Sequence, residues 1–457
     1  MRRILEGIIV SVLMVEIGSV ACAANGAGTL YAGTAKVDIS PDQPVISAAG
    51  MSFRLPDTLP EEKTPPTNLH DPLYARIVVF KSGETALAIV SLDLQFFSSE
   101  KLIAEAKEKW KVDHVILSSS HTHSGMVPRA ICPTKGGWAW AFVPSDPREK
   151  VDWPGLSKDP WYAVTEEKIV AAIGEAMRNL FPARLAVAEG PYESVYLGHN
   201  RRFVRPDGRV TMMWANPKRI PTKPRDSTVG VIRIEDEAGK PRALMVHYAC
   251  HPVTMMGNPM ITADFPGAMV DYIEKELGPD CMGMFLQGAE GDIDPYEMRL
   301  RGDYGFNMVQ QSGIALAKAA LRVAADMPSP NSAKGSLQVK EEMIDIPYRT
   351  GAKSTDACIV TVVVNDALAL VAIPGEPFIQ HQLNLRERSP LPHAFMLGLA
   401  YSGRGSPCLI YVPTVQAVKE GGYGAAKASF VAADAGARMV DATVESLKAM
   451  SAIGGGE

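Results

Sequence analysis

The stretch ARIVVFKSGETALAIVSLDLQFFSSEKLIAEAKEKWKVDHVILSSSHTHSG, residues 75–125, decides the fold. Its two apolar runs, residues 75–80 and 86–92, flank KSGET and read as the arms of a hairpin. Helical periodicity follows in SSEKLIAEAKEKW, with Ser98 or Ser99 placed to cap it. Residues 114–117 then form a strand that runs into Ser118, Ser119 and Ser120. Strand, helix, strand is the cadence of an α/β protein.

That cadence continues along the chain. Short apolar strands are expected at residues 184–188, 229–234, 243–249 and 282–286, with one helix at 164–180 and another beginning near Phe265. Residues 133–162, dense in Pro, Gly and Trp, interrupt it with a long irregular insertion of the kind that is either functional or disordered. Within it, Trp138, Trp140 and Phe142 suit an apolar lip for acyl chains or peripheral contact with a membrane, or a plain anchor that pins the loop to the body. The Pro- and Ser-rich residues 327–337 read as a surface loop inside one unit, because candidate site residues lie on both sides. Residues 425–450 read as helical, with Val440, Val444 and Leu447 at i, i+4, i+7. The expected architecture is a mixed sheet core flanked by helices, one catalytic unit over residues 24–450 with a flexible tail at 451–457.

Composition bounds the function. With 457 residues, 46% hydrophobic and 21% charged, the chain is neither disordered throughout, nor collagen-like, nor a multi-span membrane protein. Its 46 Lys and Arg against 51 Asp and Glu leave a net charge of −5, and no basic block offers a nucleic-acid footprint. Residues 1–23 read as a secretory signal: Arg2 and Arg3, an apolar run at 8–15, and a cleavage site at Ala21-Cys22-Ala23. Glu6 and Glu16 are unusual in such a segment, and Cys22 offers the alternative of a lipoprotein anchor, though Ser19 stands where those signals carry Leu. Export is the expectation. Past the signal, Cys132, Cys250, Cys281, Cys358 and Cys408 match neither a zinc knot nor a redox pair and read as small buried residues.

Metal-binding and acid–base side chains collect just past the ends of apolar strands, where open α/β sheets bind ligands. In SSSHTHSG, His121 and His123 are two residues apart, so strand alternation would aim both at one cleft; the alternative is a surface or hydrogen-bonded pair. In LMVHYACHPVTM, His251 lies past the strand, while His247 falls within it and reads as a core histidine. Asp264, ahead of a helix, reads as a cap. In MFLQGAEGDIDP, Glu290, Asp292 and Asp294 could serve as base or metal orienter, or as a capped tight turn. Glu376, emerging from LALVAIPGEPF, would complete a His, His, Glu zinc set with two of the histidines. Tyr411 in LIYVPT and Tyr423 in GGYGA could stabilise an oxyanion or ligate metal, or be core aromatics.

The order of these motifs over residues 33–425 resembles the neutral (non-lysosomal) ceramidases: His121-Thr122-His123-Ser124-Gly125, Asn200-Arg201 in GHNRR, the His251 segment, GDIDP, PGE at 374–376, LIYVPT and GGYGA. The resemblance implies an α/β catalytic domain with one zinc held by His121, His251, Glu376 and Tyr411. It implies that His123, Arg201 and Tyr423 line the pocket, and that zinc-activated water splits an amide between a fatty acid and a sphingoid base. Two departures stand out. Asp294 occupies the place of a serine in that family's GDVSPN motif, and a carboxylate donates no hydrogen bond unless protonated. It could instead act as general base. The chain also stops near residue 457, so the family's immunoglobulin-like C-terminal domain is not expected. Two rival functions remain open: another metal-dependent amidohydrolase on an eight-stranded barrel, and a non-catalytic binding protein. For the first, His199, His381 and His393 lack the matching context.

Overall fold

The computed structural model describes residues 28–41, 69–125, 160–258, 260–351, 353–406 and 408–454. The signal, the Trp138, Trp140 and Phe142 stretch, and Cys132 lie outside them.

Three sheets dominate, each built around one parallel pair. In the six-stranded sheet, Thr85–Leu92 and His114–Ser119 run parallel, joined by the helix Glu100–Trp110. In a four-stranded sheet, Pro241–Tyr248 and Met282–Gln287 are joined by the helix Asp264–Leu277. In the other, Leu368–Ala372 and His393–Leu397 are joined by the helix Ile379–Arg388. A parallel pair cannot close through a hairpin, so each unit spends a helix on its crossover. The remaining partners in these sheets are antiparallel.

Period-two patterning explains how the sheets stack. On the strand Tyr74–Ser82, Ile77 and Val79 face Leu102, Ile103, Ile169 and Ile173 of the covering helices. Val78 and Phe80 face the opposite way, into an inner core shared with Ile232, Met245, Val362, Leu370 and Phe395 of the other sheets. Strands buried on both faces read as the continuous apolar runs seen in the sequence. Outer helices close the third layer, with Val440, Val444 and Leu447 packed into the core under the second and third sheets, as their spacing predicts.

Local chemistry sets the ends. Ser99 caps Glu100–Trp110 by accepting from the Leu102 amide at 2.9 Å, which decides between the two serines. Arg76 and Asp93, both nearly inaccessible, pair at 2.7 Å and tie the hairpin to the loop that leads to the site. The C-terminal helix is shorter at its start than expected. A π-helical turn at Tyr423–Lys427 precedes it, and Ala435–Gly454 is helical. Between them, the Arg349 amide donates to Phe430 and the Ala432 amide donates to Pro347, at 2.7 and 2.8 Å, so this segment pairs with a sheet edge. At the other end the helix runs through Gly454, into the residues expected as tail. The four described cysteines are free and buried. Among the described residues no helix is long and apolar enough to cross a membrane.

Asp264 is a brace more than a cap. Its φ is 57°, and its carboxylate accepts from the Met255 and Phe265 amides at 3.0 and 2.7 Å. Burial pushes its pKa from 3.8 up to about 6. The folded chain therefore retains a proton that the unfolded chain has lost, so this residue's contribution to stability falls as pH rises from about 4 to about 6. The wild-type urea midpoint minus that of Asp264→Asn should therefore fall across this range, because the variant has no carboxyl to titrate. A parallel offset at every pH would refute the assignment.

Candidate metal centre

The carboxyl ends of all three parallel pairs meet at one point. The first supplies His121, just beyond Ser119. The second supplies His251 beyond Tyr248 and the 290–294 loop beyond Gln287. The third supplies Glu376 beyond Ala372. Gly291 lets the second approach the third: a Cβ there would lie 2.4 Å from the Glu376 carbonyl oxygen.

His121 is not on a strand. Its φ of 69° turns the chain into the left-handed region, which histidine tolerates better than most residues. Its amide donates to Leu94 at 2.9 Å, and its Nδ1 lies 2.8 Å from the Gln95 carbonyl. Thus a turn, and not strand alternation, brings His121 and His123 together, with Nε2 atoms 3.1 Å apart.

Glu376 Oε2 lies 3.5 Å from His121 Nε2 and 3.2 Å from His251 Nε2. Tetrahedral ligands about 2.1 Å from zinc stand about 3.4 Å apart, so these separations fit a shared cation. The outer contacts select among the histidines. Metal-ligating imidazoles donate their second N–H to a carbonyl or carboxylate. His121 Nδ1 meets Gln95 O, and His251 Nδ1 meets Glu290 O at 2.8 Å. His123 Nδ1 has no hydrogen-bond partner among the described residues. His121 and His251 are therefore fixed with Nε2 pointing inward, while His123 is half-buried.

Burial would raise the pKa of Glu376, but His121 and then His251 outweigh it and hold the carboxyl well below its ordinary range. Burial, and then His121 and His251, keep His123 well below the usual histidine value, hence neutral. Tyr411 pairs in register with Glu376 in a short parallel bridge. Burial and then Glu376 push its phenol upward.

Arg201 lies behind Tyr411, buried, with Nη1 3.1 Å from Asp294 Oδ1 and Nη2 donating to the Gly291 carbonyl at 2.7 Å. Burial opposes its charge, but Asp294 and then Tyr411 outweigh that and raise its pKa. Its guanidinium also lies 5.2 Å from the ring centres of Trp214 and Tyr411. Tyr423 packs edge-on against both, at 5.4 and 5.7 Å, and is half-buried like Trp214. Asp294 is fully buried and 3.6 Å from His251 Nδ1, so it sits behind the imidazole as well as beside Arg201.

No protein-family model matches the chain. Among solved structures, the neutral ceramidase from Pseudomonas aeruginosa aligns at a TM-score of 0.67 and 16% identity, over 93% of this chain and 75% of that one. A ceramidase complexed with C2 aligns at 0.70, also at 16% identity with the same coverage. The chain has the ceramidase fold. At that identity the likeness speaks for architecture, and the chemistry must come from the residues themselves. The ceramidase fold replaces the barrel alternative, since among the described residues the sheets are open.

Within this ceramidase fold, eight residues singled out in the sequence lie in one cluster: His121, His123, His251, Glu376, Tyr411, Arg201, Asp294 and Tyr423. His247 is the core histidine it resembles in sequence, with Nε2 2.8 Å from the Met396 carbonyl and its ring stacked on Phe395. His199, His381 and His393 pair with Met213 O, Pro413 O and Glu189 and lie outside the cluster. Asp292 is structural: it accepts from Asn200 Nδ2 at 2.7 Å and from the Ile379 amide at 2.9 Å. Sequence reasoning passed over Trp214, whose segment MMWANP carries no periodicity or motif to mark it.

Proposed function

We propose that this chain is an exported zinc-dependent hydrolase that cleaves an acyl amide, an N-acylated sphingoid base or a close relative. The observation that carries the reading is Glu376 Oε2 at ligand-to-ligand spacing from both His121 Nε2 and His251 Nε2, with both rings anchored through Nδ1. The donor set fits zinc: two imidazole nitrogens, a carboxylate held ionised, and the adjacent Tyr411 phenol. A divalent cation held there would supply Lewis acidity for a carbonyl and acidify water near neutral pH.

The protein's own groups divide the remaining work. His123, neutral and half-buried with its Nε2 3.1 Å from His121 Nε2, can accept a proton beside the cluster. Arg201 is locked by Asp294 and Gly291, so its charge is fixed beside Tyr411 without a conformational cost at the moment of reaction. Trp214 and Tyr423 offer apolar edges to an acyl or sphingoid chain. Asp294, spent on Arg201, replaces no hydroxyl donor, so contacts to substrate hydroxyls must differ from those of a serine-bearing site. The Trp138, Trp140 and Phe142 lip, membrane contact and the exported location remain part of the proposal.

Protein purified without chelators should carry about one zinc per chain and hydrolyse members of a panel of N-acyl amines of graded chain length. Chelation should abolish turnover, and zinc should restore it. Absence of stoichiometric metal would sink the reading. Bound metal with no turnover on any acyl amide would favour a binding protein on the same scaffold.

A further inference from the structure

Glu290 is the group that the mechanism leaves unused. It follows the strand Met282–Gln287, is fully buried, and neither carboxyl oxygen is hydrogen-bonded to another of the described residues. Its neighbours in the loop are committed: Asp292 to Asn200 and the Ile379 amide, Asp294 to Arg201. A buried carboxyl without partners is costly, and a fold that keeps one needs a compensating group. Room has been made for it. A Cβ at Gly398 would lie 2.5 Å from Glu290 Oε2, so only glycine fits there without displacing the side chain.

Glu290 also faces the metal-binding groups. His121, Glu290 and Glu376 each offer a ligand atom within 4.8 Å of one another, as do His121, His123 and His251. Ligands on opposite sides of one ion, each about 2.1 Å away, stand about 4.2 Å apart. His121 appears in both groups, and its Nδ1 is occupied by the Gln95 carbonyl. Only Nε2 remains, and one lone pair serves one ion. The two groups therefore cannot hold separate cations through His121.

We infer that Glu290 is a further ligand to the same cation, beyond His121, His251, Glu376 and Tyr411. This rests on the metal-dependent reading above. A second carboxylate changes the chemistry of the site. It balances the charge of a divalent ion within a buried cluster, and it adds an oxygen donor that favours five- or six-coordinate ions. Manganese and cobalt(II) should therefore compete with zinc better than they would at a site with a single carboxylate.

The test uses the full chain and its Glu290→Gln variant, stripped of metal and titrated with zinc, manganese and cobalt(II) against a chromophoric chelator. Glu290→Ala, which adds no donor, serves as a second variant if the first misfolds by circular dichroism. We expect binding to weaken about 10–100-fold, with manganese losing more than zinc. The visible cobalt(II) bands should also intensify as coordination number falls. The metal-free variants should be no less stable than the metal-free wild type, since no hydrogen bond to another residue is lost. Unchanged affinity and an unchanged cobalt spectrum, with wild type still binding one ion, would overturn the inference and leave the hydrolase reading standing. Failure of the wild type to bind any of the three ions would overturn both.

Discussion

Replacing Glu376 with Gln is expected to lower zinc affinity by about 100-fold or more and to remove turnover with it, while the chain stays folded. A single oxygen, Glu376 Oε2, faces both His121 Nε2 and His251 Nε2. Because the two Nδ1 atoms lie at backbone carbonyls and donate to them, both Nε2 atoms are lone-pair acceptors. Gln can turn its NH₂ toward them and satisfy them without any ion. The variant thus replaces a shared anionic ligand by a neutral hydrogen-bond donor, at almost unchanged volume. Competition with a chelator gives the affinity, and steady-state rates on the best amide of the panel give the activity. If Glu376→Gln bound zinc as tightly as wild type, the carboxylate would not be a ligand.

The second large effect is on stability. Arg201→Met should destabilise the protein by about 3–5 kcal/mol, because Asp294, fully buried, is left charged and unpaired. Arg201→Lys should recover only part of this. A lysine cannot reach Asp294 and the Gly291 carbonyl together, nor lie flat beside Trp214 and Tyr411. Adding Asp294→Leu to Arg201→Met should restore most of the loss while leaving activity impaired. Urea titrations at constant m-value would measure all three. A cost below about 1 kcal/mol for Arg201→Met would mean that water reaches Asp294 and that the pair is a surface one in energetic terms.

Much of this was legible in the sequence because the chemistry sits where apolar runs stop. His121, His251 and Glu376 each follow a run of buried strand residues, and their ligand-type side chains stand out against it. The first two strand–helix–strand units were legible too, but the third, with its helix Ile379–Arg388 and strand His393–Leu397, was not read from the sequence. What stayed hidden was tertiary. The left-handed turn at His121 depends on the Leu94 carbonyl, which accepts from the His121 amide, and on the Gln95 carbonyl, which no local pattern encodes. The break in the C-terminal helix comes from Phe430 and Ala432 bonding to a distant sheet edge, which overrides a helical composition. Glu290 and Asp292 are both acidic loop residues in sequence. Only the packing shows one of them satisfied and the other facing the cluster.

Each of the three crossover units contributes one corner of the centre, and the corners are far apart along the chain: His121, His251 and Glu376. No fragment that lacks any unit retains the full set, and a nick that loosens one of them should discharge the ion even where the other two hold their shape. Under the metal-dependent proposal, bound metal would thus report on the intact tertiary structure. The rate at which a chelator strips it should be limited by how often the weakest of the three units opens.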